Sequence, residues 1–168
     1  MAGIISINKT SLLLRNRIGS LCNRLKKQGK VIVLVGGCFD LLHPGHVIFL
    51  EKAKKAGDSL IVLLESDEKI KAIKGINRPV HSQAERAKVL SALRPVDYIV
   101  VLPFLKNDLE YDRLILKIKP DIVAATSGSE NIRHYRRAAK LSGAKLKFVT
   151  KTINGHSTSS LIDSVTVQ

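Results

Sequence analysis

Aromatic side chains make up only 4% of these 168 residues, and tryptophan is absent. A chain so poor in aromatics offers few stacking platforms for single-stranded nucleic acid. Cysteine is scarce too: Cys22 and Cys38 are too few for a disulfide framework and are not spaced as a zinc site, which fits a reducing compartment. No stretch reaches the roughly 18 uninterrupted apolar residues of a membrane span. No apolar core followed by a cleavage site marks a secretory signal. The chain therefore reads as soluble and cytoplasmic. Acidic residues are missing altogether from positions 1–30, which carry Lys9, Arg15, Arg17, Arg24, Lys26, Lys27 and Lys30.

What is present is a large positive balance, +14 formally, from 28 Lys and Arg against 14 Asp and Glu. Such an excess attracts polyanions: nucleic acid, anionic membrane or nucleotide. Half of it lies in the acid-free N-terminal segment, which resembles an organellar transit peptide in composition. A structural helix accounts for the segment better, because Leu14, Ile18, Leu21 and Leu25 recur at helical spacing and Gly29 follows as a stop. With 45% hydrophobic residues the chain builds a real core, and its length is that of one domain.

Strand and helix patterns then alternate to the end. Apolar runs at Val31–Val35, Leu60–Leu64, Tyr98–Val101, Asp121–Ala124 and Lys145–Val149 read as strands. Between them, a helix from Pro44 to Ala56 ends near Gly57, and Ser82-Gln83-Ala84-Glu85 has the spacing of a capping box. Asp108 is placed to cap a helix with Leu109, Leu114, Ile115 and Ile118 on its apolar side, and a basic helix from Asn131 to Leu141 closes at Gly143. A Ser/Thr-rich turn from His156 to Ser160 starts a short last helix. This alternation predicts an α/β fold, a doubly wound sheet of about five parallel strands with helices on both faces plus an N-terminal leading helix. In such sheets ligands bind outside the carboxyl ends of the strands.

The stretch Gly36-Gly37-Cys38-Phe39-Asp40-Leu41-Leu42-His43-Pro44-Gly45-His46 occupies that position after the first strand. His43 and His46 are three apart, so at a helix start they share a face. Pro44 suits the first helical position, Gly45 lets a ligand approach the backbone, and the free amides attract an anion. Two imidazoles there can donate hydrogen bonds to phosphoryl oxygens and stabilise developing charge. A cap plus a surface histidine is the bland alternative. A metal pair is weaker, because no third ligand has an evident spacing partner.

Gly37 to His46 resembles the HxGH signature of the cytidylyltransferase-like nucleotidyltransferases. The resemblance extends through Leu50-Glu51-Lys52-Ala53, Glu65-Ser66-Asp67, Lys74-Gly75, Arg78-Pro79-Val80, Glu85-Arg86 and Ser157-Thr158-Ser159-Ser160-Leu161, covering residues 18–163. Within the family the likeness leans to stand-alone heptose 1-phosphate adenylyltransferases, then to glycerol-3-phosphate cytidylyltransferases. It implies a Rossmann-like fold, with residues 1–29 a basic leading segment and 30–168 the nucleotidyltransferase domain. The implied reaction takes ATP or CTP, with Mg2+ or another divalent cation, and a small phosphorylated substrate such as a sugar phosphate, and releases pyrophosphate.

Carried over by position, the resemblance gives His43, His46, Lys71 and Lys74 the catalytic roles. It gives nucleotide and phosphate contacts to Gly37, Cys38, Phe39, Asp40, Gly45, Arg86, Ser157, Thr158 and Ser159. Glu85 reads as a cap, and Arg86 as a phosphate or a fold-linking contact. A homodimer is also implied, and no protein-held metal site. Two departures stand out. Where the family carries Gly-Asp and an aromatic, this chain has Ala125-Thr126-Ser127-Gly128-Ser129-Glu130, so Thr126, Ser127, Gly128 and Glu130 form an altered base or substrate loop. Lys151 and His156 replace the residues usual before the late Ser-Thr motif. The competing expectation is a nucleotide-binding module that lost catalysis through that loop and uses its basic surface on nucleic acid or an acidic partner.

Overall fold

The computed structural model describes residues 5–7, 10–14 and 17–151. Its chain order is β1 (Ile5–Ile7), β2 (Thr10–Leu14), α1 (Ile18–Lys27), β3 (Ile32–Gly37), α2 (Pro44–Lys54), β4 (Ser59–Leu64), α3 (Asp67–Lys74), α4 (Gln83–Ser91), β5 (Tyr98–Val101), α5 (Asp108–Ile118), β6 (Ile122–Ser127), α6 (Ile132–Ser142) and β7 (Lys145–Lys151).

One sheet runs through the molecule in the order β1-β2-β5-β4-β3-β6-β7. The five expected strands, β3 to β7, are all parallel. Strand order reverses between β3 and β6, which places the crevice of a doubly wound sheet at the carboxyl end of β3. Alternate residues of the central strands serve two cores. Ile32, Leu34, Ile61, Leu63 and Val100 meet α1 and α5 through Ile18, Leu25, Leu114 and Ile118. Val33, Val35, Leu60, Val62 and Ile99 meet α2 and α4 through Leu50, Ala53, Ala87 and Leu90. Burial on both faces explains why these strands read as continuous apolar runs.

The basic leading segment departs from expectation. The helix is present, with Ile18, Leu21, Cys22 and Leu25 buried and Gly29 at φ +70 after it, but Leu14 belongs to a strand. β1 and β2 form an antiparallel pair, and β2 lies parallel to β5 with Leu14 opposite Val101. The pairing covers what would otherwise be an open edge of β5. Nothing in the local spacing revealed it, because the partner is more than 80 residues away.

The helix at Ser82 forms as a reciprocal capping box, Ser82 N–H donating to Glu85 at 2.8 Å. The cap of α5 is Asn107 rather than Asp108, and Leu109 is exposed instead of joining the apolar side. α3 is an additional element, started by Ser66, whose hydroxyl accepts from the Lys69 amide at 3.1 Å.

Gly57 does more than end a helix. A Cβ there would lie 2.7 Å from Val33 Cγ2 and 2.9 Å from the Val31 carbonyl. Because backbone cannot yield as a flexible side chain does, Gly57→Ala is expected to lower unfolding stability by about 1–3 kcal/mol. Chemical denaturation of the two proteins measures it.

Candidate active site

The turn after β3 is held in an unusual backbone shape. Phe39 has φ +46, a left-handed conformation rarely taken by a bulky residue, and its ring is only 5% exposed. Such strain costs roughly 1–3 kcal/mol and persists where surrounding packing enforces it, typically at functional turns. Gly37 leaves space for the Phe39 ring: a Cβ there would stand 3.0 Å from it.

His43 is the N-cap of α2, with Pro44 as the first helical residue. The His43 and His46 rings lie with centroids 3.9 Å apart, tilted by 36°, and the Phe39 ring centroid is 5.4 Å from that of His46. The two imidazoles thus converge, as their spacing predicts. Gly45 is needed beneath them, since a Cβ there would be 3.0 Å from His43 Nδ1 and Cε1. The sequence reading gave that glycine only the role of admitting a ligand.

His46 Nδ1 accepts the His43 backbone N–H at 3.4 Å. Burial, then the neighbouring His43, then Lys74, push the His46 pKa down to about 4. A neutral imidazole whose Nδ1 is an acceptor carries its proton on Nε2, ready to donate to an anion at the helix start. The same shift governs stability. The unfolded residue takes up a proton near pH 6.5 and the folded one only near 4, so between these values the unfolded chain binds more protons and stability falls as pH falls. Urea midpoints measured across that window should drop less steeply for His46→Gln than for the parent. Equal slopes would contradict the buried, neutral state.

Asp40 is 3% exposed, and its carboxylate is fully engaged. It accepts Arg78 Nε at 2.6 Å, the Val80 N–H at 2.8 Å and the His81 N–H at 3.2 Å. Its side chain therefore ties the turn to the loop before α4, leaving any ligand contact here to the backbone. Arg86, 1% exposed, takes the fold-linking side of its two expected roles. Its guanidinium donates to the Cys38, Glu65 and His81 carbonyls and to Asp67 Oδ1. Burial pushes the Cys38 thiol pKa up, so it stays protonated and inert.

Lys71 and Lys74 both lie exposed in the last turn of α3. Lys74 is near enough that its charge acts on both His46 and Cys38. Thr126 and Ser127 end β6 at the switch point, where Thr126 Oγ1 lies 2.9 Å from Thr150 Oγ1 of β7. Ser127 lines a hollow with Ile48, Lys52 and Phe148, while Gly128, at φ +80, and Glu130 are exposed on the following loop. Ser157, Thr158 and Ser159 lie outside the described residues.

Chemistry to which the resemblance assigned no role lies on the other side of the turn. Gly36, Gly37 and Cys38 floor a cavity of about 290 Å3 covered by α3, α5 and α6. Glu65 and Tyr111 face into it, with the Tyr111 hydroxyl donating to both Glu65 carboxylate oxygens at 2.9 and 3.1 Å. Glu65 directly follows β4 at the carboxyl side of the sheet, where ligand contacts concentrate; that place and its membership of the Glu65-Ser66-Asp67 stretch were the available signals. Tyr111 comes from an element 46 residues later, and no pattern pairs it with Glu65.

Among the described residues no three His, Cys, Asp or Glu side chains gather as a metal cage, and Asp40 is occupied. The imidazoles and helix amides suit phosphoryl oxygens, so a divalent cation here fits as part of a nucleotide complex. Also among the described residues, no helix is long and apolar enough to cross a membrane.

A sheet with this switch point, and an imidazole pair at the N-terminus of the helix after its central strand, define a nucleotidyltransferase-type domain. The sequence profile described as "Cytidylyltransferase-like" matches residues 34–163. The chain belongs to the cytidylyltransferase-like family. It is 38% identical over 152 residues to the bifunctional protein HldE of Wolinella succinogenes, covering 86% of this chain and 31% of that protein. To the bifunctional protein HldE of Nitratiruptor it is 48% identical over 99 residues, 59% of this chain and 21% of that one. The chain thus spans about a third or less of the length of these curated relatives.

Among solved structures, a lipopolysaccharide core biosynthesis protein from Thermoplasma volcanium superposes with a TM-score of 0.57 at 26% identity, covering 74% of this chain and 98% of that one. A pantoate-beta-alanine ligase from Francisella tularensis, complexed with beta-gamma ATP and beta-alanine, gives a TM-score of 0.62 at 18% identity over 93% of this chain and 73% of that one, a likeness of fold.

Proposed function

We propose that this chain transfers a nucleotidyl group from ATP or CTP to a small phosphorylated substrate, a sugar phosphate, with release of pyrophosphate. An oxygen of the substrate phosphate attacks the α-phosphorus in line, and the bond to the pyrophosphate breaks as the pyrophosphate leaves with its electron pair. The observation that carries the reading is the neutral His46, packed against His43 at the start of α2 with Nδ1 accepting and its proton therefore on Nε2. Lys74 adds positive charge beside the turn, and a divalent cation such as Mg2+, carried in with the triphosphate, would supply further charge neutralisation. The roles of His43, His46 and Lys74 are positioning and charge stabilisation, which is what this chemistry asks of a protein.

The test is pyrophosphate release over ATP and CTP with a panel of phosphorylated sugars and alcohols. Turnover with one pair supports the reading; a folded protein inactive with every pair overturns it. The altered Thr126–Glu130 loop and the +14 charge favour a binding module as the second reading. That reading requires nucleic-acid affinity that falls steeply with salt and survives replacement of His43 and His46.

A further inference from the structure

The cavity beneath α5 and α6 has walls of Leu34, Leu63, Ile73, Ile115 and Val123, and a floor that continues directly into the transfer turn. Its volume of about 290 Å3 sits at the bottom of the range for small-molecule sites, roughly 300–1,000 Å3, which suits a sugar-sized group better than a whole nucleoside triphosphate. Lys69 apart, the charges at its rim satisfy one another. Arg137 forms a two-point pair with Asp112 and lies 3.7 Å from Asp108, and His134 is 3.9 Å from the same Asp108.

Glu65 is different. Tyr111 is the one side-chain donor on its carboxylate among the described residues, while a carboxylate offers about four acceptor positions. Burial raises its pKa, opposed by the Tyr111 hydrogen bond and then by the charges of Lys69 and Arg86. The Lys69 amine lies 5.5 Å from the Tyr111 ring centroid, which steadies the ring that aims the hydroxyl. An under-occupied acceptor in a mostly apolar pocket is matched by a ligand that brings hydroxyl donors. A ligand bringing a second carboxylate would meet like charge.

We propose that this cavity receives the carbon skeleton of the phosphorylated acceptor, and that Glu65, oriented by Tyr111, accepts a hydrogen bond from one of its hydroxyls. The acceptor is then a phosphate whose carbon skeleton bears hydroxyls and no carboxylate. The acceptor's role rests on the nucleotidyl-transfer reading; occupancy of the cavity is measurable without turnover.

The experiment pairs steady-state kinetics with a binding titration on the full chain. The probes are ribose 5-phosphate, glucose 1-phosphate, glycerol 3-phosphate and 3-phosphoglycerate, the last two differing by the carboxylate. In the parent protein a polyol phosphate should be preferred over 3-phosphoglycerate. Glu65→Gln should raise the acceptor KM by about 10- to 100-fold, the loss expected for a charged hydrogen bond, narrow that preference and leave the nucleotide KM unchanged. Tyr111→Phe is the second variant, expected to move the acceptor KM in the same direction while circular dichroism stays native. Equal effects on both KM values, no effect on either, or equal use of 3-phosphoglycerate by the parent would overturn the proposal.

If no acceptor turns over, the transfer reading fails by itself and the titration decides the cavity. The chain has three tyrosines and no tryptophan, and two of the three, Tyr111 and Tyr135, line it. A saturable change in tyrosine emission with a polyol phosphate, weakened in Glu65→Gln, supports the proposal; absence of any change refutes it.

Discussion

Replacing His43 or His46 by alanine is expected to lower kcat by about 10²- to 10³-fold, the effect typical of deleting one preorganised donor aimed at developing charge. The imidazoles stand at the positive end of α2, whose first free amides already favour an anion. Held by the His43 N–H on its Nδ1 side and neutral because of burial, His46 can offer only its Nε2–H outward. A donor so fixed costs no reorganisation when charge shifts to the leaving pyrophosphate. His46→Gln, which keeps an N–H donor, should recover part of the rate, whereas His46→Phe, which keeps only volume, should not. The double alanine variant should lose little more than either single one, because stacked groups serving one oxyanion act as a unit. Pyrophosphate-release kinetics decide it: loss confined to KM would assign the pair to uniform binding instead.

Arg86→Ala should be the most destabilising change in the molecule. The guanidinium is 1% exposed, and removing it takes a donor from four acceptors: three backbone carbonyls and the Asp67 carboxylate. Asp67 is 33% exposed and keeps the Gln83 N–H, so the loss, about 3–5 kcal/mol, comes chiefly from the three carbonyls left without their donor, at about 1–3 kcal/mol each. For a chain of this length that corresponds to a fall in Tm of roughly 10 °C. Arg86→Lys should not restore it, since one ammonium cannot serve acceptors spread around a planar fork. Because those acceptors belong to the turn, the end of β4, α3 and the loop before α4, activity should fall with stability. A thermal melt of Arg86→Ala within a few degrees of the parent would refute the brace.

The arginine also shows how legibility divides. Arg86 could be matched by position to a helix arginine, and either phosphate or fold was open to it. Its burial and its four fold-linking partners, which no local pattern encodes, came only with the structure. Asp40 is similar: its place in the turn was visible, while its partners Arg78, Val80 and His81 lie about 40 residues on. Glu85 was settled at once as a cap, because both ends of that interaction fall within four residues.

What the sequence determined by itself follows from short range. Apolar runs, glycine stops and capping residues specify five parallel strands and most of the helices, and the three-residue spacing of His43 and His46 brings their rings together. These features depend on helix pitch, strand alternation and steric rules that act within a turn or two. The tertiary structure alone decided the rest. It paired β2 with β5, enclosed Arg86, lowered the proton affinity of His46 through burial and Lys74, and set Tyr111 against Glu65. Each of these depends on desolvation or on contact between segments far apart in the chain, quantities that arise only once the sheet has assembled.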